Sequence, residues 1–205
     1  MSEITFYTNP MSRGRIARWM LEEVGAPYTE KVIQYGPDMK GTYLEINPMG
    51  KVPAIVHGEQ VVTECAAICA YLADAFPDAG LAPAVDRRGA YYRWLFFAAG
   101  PVEQAVTNKS MQFTVADPQK QGMLGYGNFE LTQDTLAKAV SGDGYVAGPE
   151  FTAADVYVGA QVSWGVQFGT MDKKPEFIAY AQRVTDRDAY RRATEKDDAL
   201  VAAQA

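Results

Sequence analysis

The chain has 205 residues, 48% apolar and 21% charged, which suits an apolar core in one large or two modest domains and not a disordered chain. Its formal net charge of −6 argues against a nucleic-acid partner, because neutralising phosphates takes a basic face. No apolar run approaches the ~20 residues of a membrane span, and the start, Met1 to Tyr7, lacks the basic and long apolar stretches of a signal peptide, so a cytoplasmic protein away from membranes is expected.

Ile4 to Tyr7 alternates and is β-prone, a short strand that Asn9-Pro10 breaks. Ile16, Met20, Leu21 and Val24 follow helical spacing, and Gly25-Ala26-Pro27 stops that helix. Tyr28 to Gln34 is a second strand, and Gly36 to Pro48 is loop. Val52 to Val56 is a third strand, His57 to Gln60 a turn that leaves His57 in solvent, and Val61-Val62 the start of a fourth strand, so the pair forms a hairpin. Ala66 to Phe76 is helical. The order is β-α-β, then β-β-α, within about the first 76 residues. The two cysteines, Cys65 and Cys69, sit four apart on this helix, a spacing that does not match disulfide geometry, and reduced thiols fit a cytoplasmic compartment. With one histidine and two cysteines, a metal site is not expected.

Pro77 to Val85, rich in Pro, Ala, Gly and Asp, reads as an interdomain linker. Beyond it the pattern is helical: Asp86 to Val106, bent near Gly100-Pro101, then Asn128 to Ser141, Phe151 to Phe168, and one last long amphipathic helix from Glu176 to Ala193. Thr107 to Gly127 is polar and weakly patterned. Thr152 to Asp155 has the form of a capping box, with Phe151 and Val156 placed as a hydrophobic staple, and its role is structural.

Two segments carry candidate chemistry. In Asn47 to Pro53, a proline opens a strand without an amide to donate, its predecessor is held extended, and such an edge can pair its backbone with a short peptide. In Thr63 to Ile68, Glu64 stands at a helix entrance, where unpaired amides suit an anionic group and the carboxylate suits an ammonium. An α-amino acid end carries both charges. Each segment alone has a plainer explanation, a loop-to-strand turn or a carboxylate complementing the helix dipole.

Together, the runs Asn47 to Val56 and Thr63 to Leu72 resemble the glutathione-binding half of the cytosolic glutathione transferases, with Tyr7 to Arg15 and Phe151 to Asp155 extending the likeness over nearly the whole chain. The spacing of the first loop looks like the serine-type or bacterial members. The resemblance implies an α/β thioredoxin-like N-terminal domain over residues 1–77 and an all-α substrate-binding domain over residues 87–205. It implies that Val52 pairs its backbone with the cysteinyl part of glutathione beside a cis Pro53, that Glu64 and Cys65 hold the γ-glutamyl end, and that Lys51 lies near the glycine carboxylate. Cys65 stands where the family usually has serine, and a thiol is a weak donor, so binding is expected to persist but weaken. A reactive redox thiol is the sharper alternative reading of Cys65.

The resemblance further implies a cytoplasmic, homodimeric detoxification enzyme that transfers the glutathione thiolate to an electrophilic, largely apolar small molecule. The alternatives are a glutathione-dependent isomerase or dehalogenase, or a non-catalytic glutathione-binding regulatory protein. A free thiol has a pKa of ~8.5, so the site needs a hydrogen-bond donor beside a helix N-terminus. Ser12 is the first choice, Asn9 and Thr8 follow, and Tyr7 is last; capping of the first helix is the competing role for Ser12. Arg13 and Arg15 oppose the helix dipole and are expected in salt bridges. Tyr91, Tyr92, Trp94, Met111, Phe113 and Trp164 are candidates for the wall of the electrophile site, each competing with a place in the helical core.

Overall fold

A computed structural model describes residues 3–203. The chain divides at Ala82/Pro83 and again at Thr185/Asp186 into two compact units. The first contains β1 (Ile4–Thr8), α1 (Gly14–Val24), β2 (Tyr28–Val32), β3 (Ala54–His57), β4 (Gln60–Thr63) and α2 (Cys65–Ala75). The second contains α3 (Gly89–Phe97), α4 (Glu103–Ser110), α5 (Pro118–Gln121), α6 (Phe129–Val140), α7 (Ala153–Phe168) and α8 (Pro175–Thr185). The final helix, α9 (Asp188–Ala202), belongs with the first unit.

The sheet runs β2-β1-β3-β4, with β2 parallel to β1 and both β3 and β4 antiparallel to their neighbours. This is the thioredoxin-like arrangement expected from the β-α-β, β-β-α order. Along β1, Ile4, Phe6 and Thr8 are buried, while Thr5 and Tyr7 on the other face are half-buried. Ile16, Ala17, Met20 and Leu21 of α1 and Ile68, Cys69 and Leu72 of α2 complete the core. Gly25 ends α1 in a left-handed conformation, φ 66°, and its N–H returns to Leu21 O. Neither cysteine is in a disulfide, and both are buried.

Three expectations shift. The third strand starts at Ala54 rather than Val52, because Pro53 has no amide for the ladder; the Val52-Pro53 peptide is cis. His57 is not in solvent: it closes β3, is half-buried, lies 3.0 Å from the Tyr71 hydroxyl through Nδ1 and stacks on Phe76 with centroids 5.7 Å apart. The last helix is two. Arg187 breaks it with extended backbone angles, φ −133° and ψ 140°, and its guanidinium grips both oxygens of Glu23 on α1 at 2.7 Å. The chain then returns along α1, where Tyr190 meets Trp19 edge-on at 4.8 Å and Asp198 takes Arg15 at 2.8 Å. Residues 188–202, placed by sequence in the helical half, thereby pack along α1 in the first unit.

In the helical unit, Pro101 lies inside a wider π-helical turn, Ala98–Val102, which joins α3 to α4 without the proline's missing hydrogen bond. The capping box of α7 is present with both halves made. Asp155 accepts from the backbone of Val146 at 2.8 Å and Thr152 at 2.9 Å, and from the hydroxyls of Thr152 at 3.0 Å and Tyr180 at 2.8 Å. Burial pushes its carboxyl up, against the pull of these donors.

Candidate functional site

Register places the candidate residues together. Ala54 of β3 is opposite Tyr7 of β1 and Thr63 of β4, so the end of β1, the approach to β3 and the exit of β4 share one end of the sheet. The segments that leave this end are Thr8 to Ser12, Lys51 to Pro53, and Glu64-Cys65. Cys65, 7% exposed, points its Sγ at Arg13 O, 3.5 Å away, which brings the first turns of α1 and α2 side by side. Two helix N-termini with their partial positive charge thus meet at one spot.

The loop after β1 is stitched tightly. Asn9 is 2% exposed; its Nδ2 donates to Ile33 O at 2.9 Å and its Oδ1 accepts Met11 N–H at 2.9 Å. Ser12 Oγ donates to Asn9 O at 2.7 Å and accepts Gly14 N–H at 2.9 Å. Thr8 Oγ1 is buried with no hydrogen-bond partner, and a Cβ on Gly14 would fall 2.0 Å from it, so residue 14 has to be glycine for α1 to close on β1. Tyr7 faces the other side of the sheet, its ring 5.5 Å from that of Tyr43 with Lys31 Nζ 5.4 Å from its centroid. Of the four sequence candidates, Thr8 and Asn9 are enclosed and Tyr7 is turned away, which leaves Ser12 half-exposed at the start of α1.

The approach to β3 is held from behind. The Tyr43 hydroxyl and Asn47 Nδ2 both donate to Lys51 O at 2.7 Å, and Asn47 Oδ1 accepts Met49 N–H at 3.0 Å. Burial pushes the Tyr43 phenol up to about 12, so it stays a donor at any ordinary pH. Gly50, φ 61°, turns the chain where a Cβ would sit 2.6 Å from Met39 O. Lys51 is exposed and Val52 half-buried. Val52 lies outside both ladders of β3, so the sheet does not use its backbone.

Glu64 is exposed with φ 63° and ψ 115°, a conformation that costs a non-glycine residue about 1–3 kcal/mol and recurs at ligand clamps. Arg15 is structural, as expected: its Nε donates to Pro10 O at 2.6 Å and its Nη2 to Asp198. The helical wall candidates divide. Tyr91 and Trp94 are core of the second unit, Trp164 is half-buried, and Tyr92, Met111 and Phe113 are exposed. Among the described residues no cluster of three or more His, Cys, Asp or Glu could hold a metal ion, and no helix is long and apolar enough to cross a membrane.

Residues 11–75 match the sequence family described as "Glutathione S-transferase, N-terminal domain". Glutathione S-transferase GstA of Escherichia coli O157:H7 is 26% identical over 178 residues, which cover 82% of this chain and 85% of that one. A sphingomonad glutathione S-transferase solved with glutathione aligns at 25% identity with a TM-score of 0.76, covering 95% of this chain and 98% of that one. Residues 11–75 thus resemble the N-terminal domain of the glutathione S-transferases, and the likeness to those relatives runs over most of the chain. A glutathione transferase from Methylococcus capsulatus strain Bath, TM-score 0.78 at 24% identity over 95% of this chain and 98% of its own, has the same fold.

Sequence reading missed three supports of this candidate site. Tyr43 and Asn47 hold Lys51 from behind, and Tyr35 donates its hydroxyl to Met11 O at 2.9 Å across the first loop. Asn47 lay in the motif without an assigned task, and neither tyrosine has a spacing signal. The one available hint was Gly14 directly inside a helix start, where glycine is unfavourable unless something needs the space.

Proposed function

We propose that this chain is a cytoplasmic, homodimeric glutathione transferase that joins the thiolate of glutathione to an electrophilic, largely apolar small molecule. The observation that carries this reading is the meeting of the α1 and α2 N-termini beside the Val52-Pro53 segment, whose backbone the sheet leaves unused. Val52 takes the cysteinyl backbone as an added strand would. Glu64 takes the γ-glutamyl ammonium, and the amide of Cys65 at the head of α2 takes the carboxylate beside it. Lys51, exposed next to Val52, meets the glycine carboxylate. Ser12 supplies the hydrogen bond to sulfur.

Ser12 suits that role because its oxygen already accepts Gly14 N–H, which polarises its own O–H. Its proton now serves Asn9 O, a neutral bond worth about 0.5–1.5 kcal/mol; a bond to a thiolate is worth about 1.5–3 kcal/mol, so the exchange favours sulfur. Catalysis then comes from thiolate stabilisation and proximity.

The test is retention on immobilised glutathione together with conjugation of a generic aryl halide by the eluted protein. Retention with conjugation is expected. Retention without it points to a glutathione-dependent isomerase or dehalogenase or to a non-catalytic glutathione binder, and no retention removes the reading altogether.

A further inference from the structure

At the far end of α1, about 15 Å from its first turn by helix rise, a cleft of about 800 Å³ opens within the first unit. Its wall is formed by the last turns of α1, the turn into β2, β2 itself and α9. Apolar surface comes from Leu21, Ala26, Pro27 and Leu200. Arg18 forms part of the wall with its side chain only 1% exposed.

The charges around Arg18 are unevenly satisfied. Glu22 is well supplied, with Lys196 Nζ at 2.5 Å, the Tyr28 hydroxyl at 2.9 Å and Arg192 Nε at 3.2 Å. Arg18 Nη1 serves Glu30 at 2.7 Å and the Tyr28 hydroxyl at 3.1 Å. Arg18 Nε lies 2.9 Å from Asp197 Oδ1 in a buried ion pair, while Nη2 has no hydrogen-bond partner among the described residues. A buried guanidinium N–H left unpaired is costly, and such groups in a cleft wall ask for an acceptor. Three cations (Arg18, Arg192, Lys196) face three anions (Glu22, Glu30, Asp197), so a simple anion or cation gains no net field here. A dipolar molecule gains from both.

We infer that this cleft is a second ligand site, distinct from the candidate glutathione site, for the zwitterionic head of an α-amino acid with an aliphatic body. Its carboxylate reaches Arg18 Nη2, which is buried in the unliganded cleft, once the wall over it opens; its ammonium meets Glu30, which is 36% exposed at the rim, and its side chain covers Leu21, Ala26 and Leu200. Lys196 and Arg192, each half exposed at the mouth, are the parts of the wall with room to swing. The cleft volume lies within the ordinary range for small-molecule sites.

The probe is L-leucine, titrated by calorimetry and thermal shift into the full chain, with isovalerate and isoamylamine as single-charge controls. Saturable leucine binding is expected, with each control at least about tenfold weaker. Ala199→Trp, on the exposed face of α9 beside the cleft, should abolish binding while leaving the unliganded melting temperature and retention on immobilised glutathione unchanged. Glu30→Gln should weaken it about five- to tenfold. Adding S-methylglutathione to the leucine-saturated protein separates two sources of the same head group: displacement marks a γ-glutamyl peptide as the occupant, and its failure marks a free amino acid. No saturation up to about 10 mM leucine, weak even for a small ligand, or undiminished binding by Ala199→Trp, overturns the inference.

Discussion

Replacing Ser12 by alanine separates its two tasks, because they are lost in different states of the protein. In the free protein the hydroxyl links Asn9 O and Gly14 N–H, at 2.7 and 2.9 Å, across the first turn of α1. Losing that cap costs about 1 kcal/mol, a fall in melting temperature of about 2–4 °C for a chain of this size. With glutathione bound, a charge-assisted bond of about 1.5–3 kcal/mol to the thiolate is equivalent to about 1–2 pKa units. The bound thiol of Ser12→Ala should therefore titrate about 1–2 units higher than that of the parent, read from thiolate absorbance against pH. Conjugation at neutral pH should fall in step, and Ser12→Thr should restore most of both. A Ser12→Ala protein whose melting point drops while its bound thiol titrates unchanged would refute the reasoning and leave Ser12 as a cap alone.

Cys65→Ser should raise glutathione affinity about fivefold, the worth of one added hydrogen bond of about 1 kcal/mol; calorimetry that finds no gain shows that the hydroxyl is not missed. Asp155→Ala should destabilise by about 3–5 kcal/mol, because it strands the Val146 and Thr152 amides and the Tyr180 hydroxyl in a dry core, and urea unfolding should show the midpoint fall with the slope preserved. Burial works to raise the Glu22 carboxyl, but hydrogen bonds from Lys196, Tyr28 and Arg192 outweigh it and hold the group below its ordinary value of 4.5. The stability that Glu22 contributes is therefore full above that value and is lost as pH falls through its lowered folded value. Glu22→Gln should flatten the acid limb of melting temperature against pH, and an unaltered limb would show that the cluster adds no linkage.

Much of the fold was legible because local patterns and tertiary demands agree. Ile4 and Phe6 alternate inward in a strand, Ile16, Met20 and Leu21 form one helical face, and Gly25 stops it. The division of the last helix was not legible. Its amphipathic spacing continues across Asp186-Arg187, and what breaks it is a bidentate grip by Glu23, more than 160 residues earlier in the chain. At the candidate site, Lys51, Val52, Glu64 and Cys65 were proposed from the motif by charge and strand chemistry, and the register brings their segments to one end of the sheet. The fate of the Tyr7 to Ser12 candidates was not written there. Strand alternation turns Tyr7 away and Gly14 encloses Thr8, both matters of packing against α1. His57 was misplaced for the same reason: a two-residue hairpin looks exposed until Tyr71 on α2 and Phe76 just past its end are brought against it.

Because α9 packs against α1, the sheet unit is discontinuous in sequence, and the helical unit is inserted into it. A ribosome adding about 5–20 residues per second takes about 5–20 s to make the roughly 100 inserted residues. Through that interval β1, α1, β2 and the hairpin are already made, but Arg18 lacks Asp197, Trp19 lacks Tyr190 and Glu23 lacks Arg187. The nascent thioredoxin-like half therefore waits with a charged and aromatic flank uncovered. A shortened chain ending near Thr185 would keep every candidate site residue and still lack the helix that closes its first half.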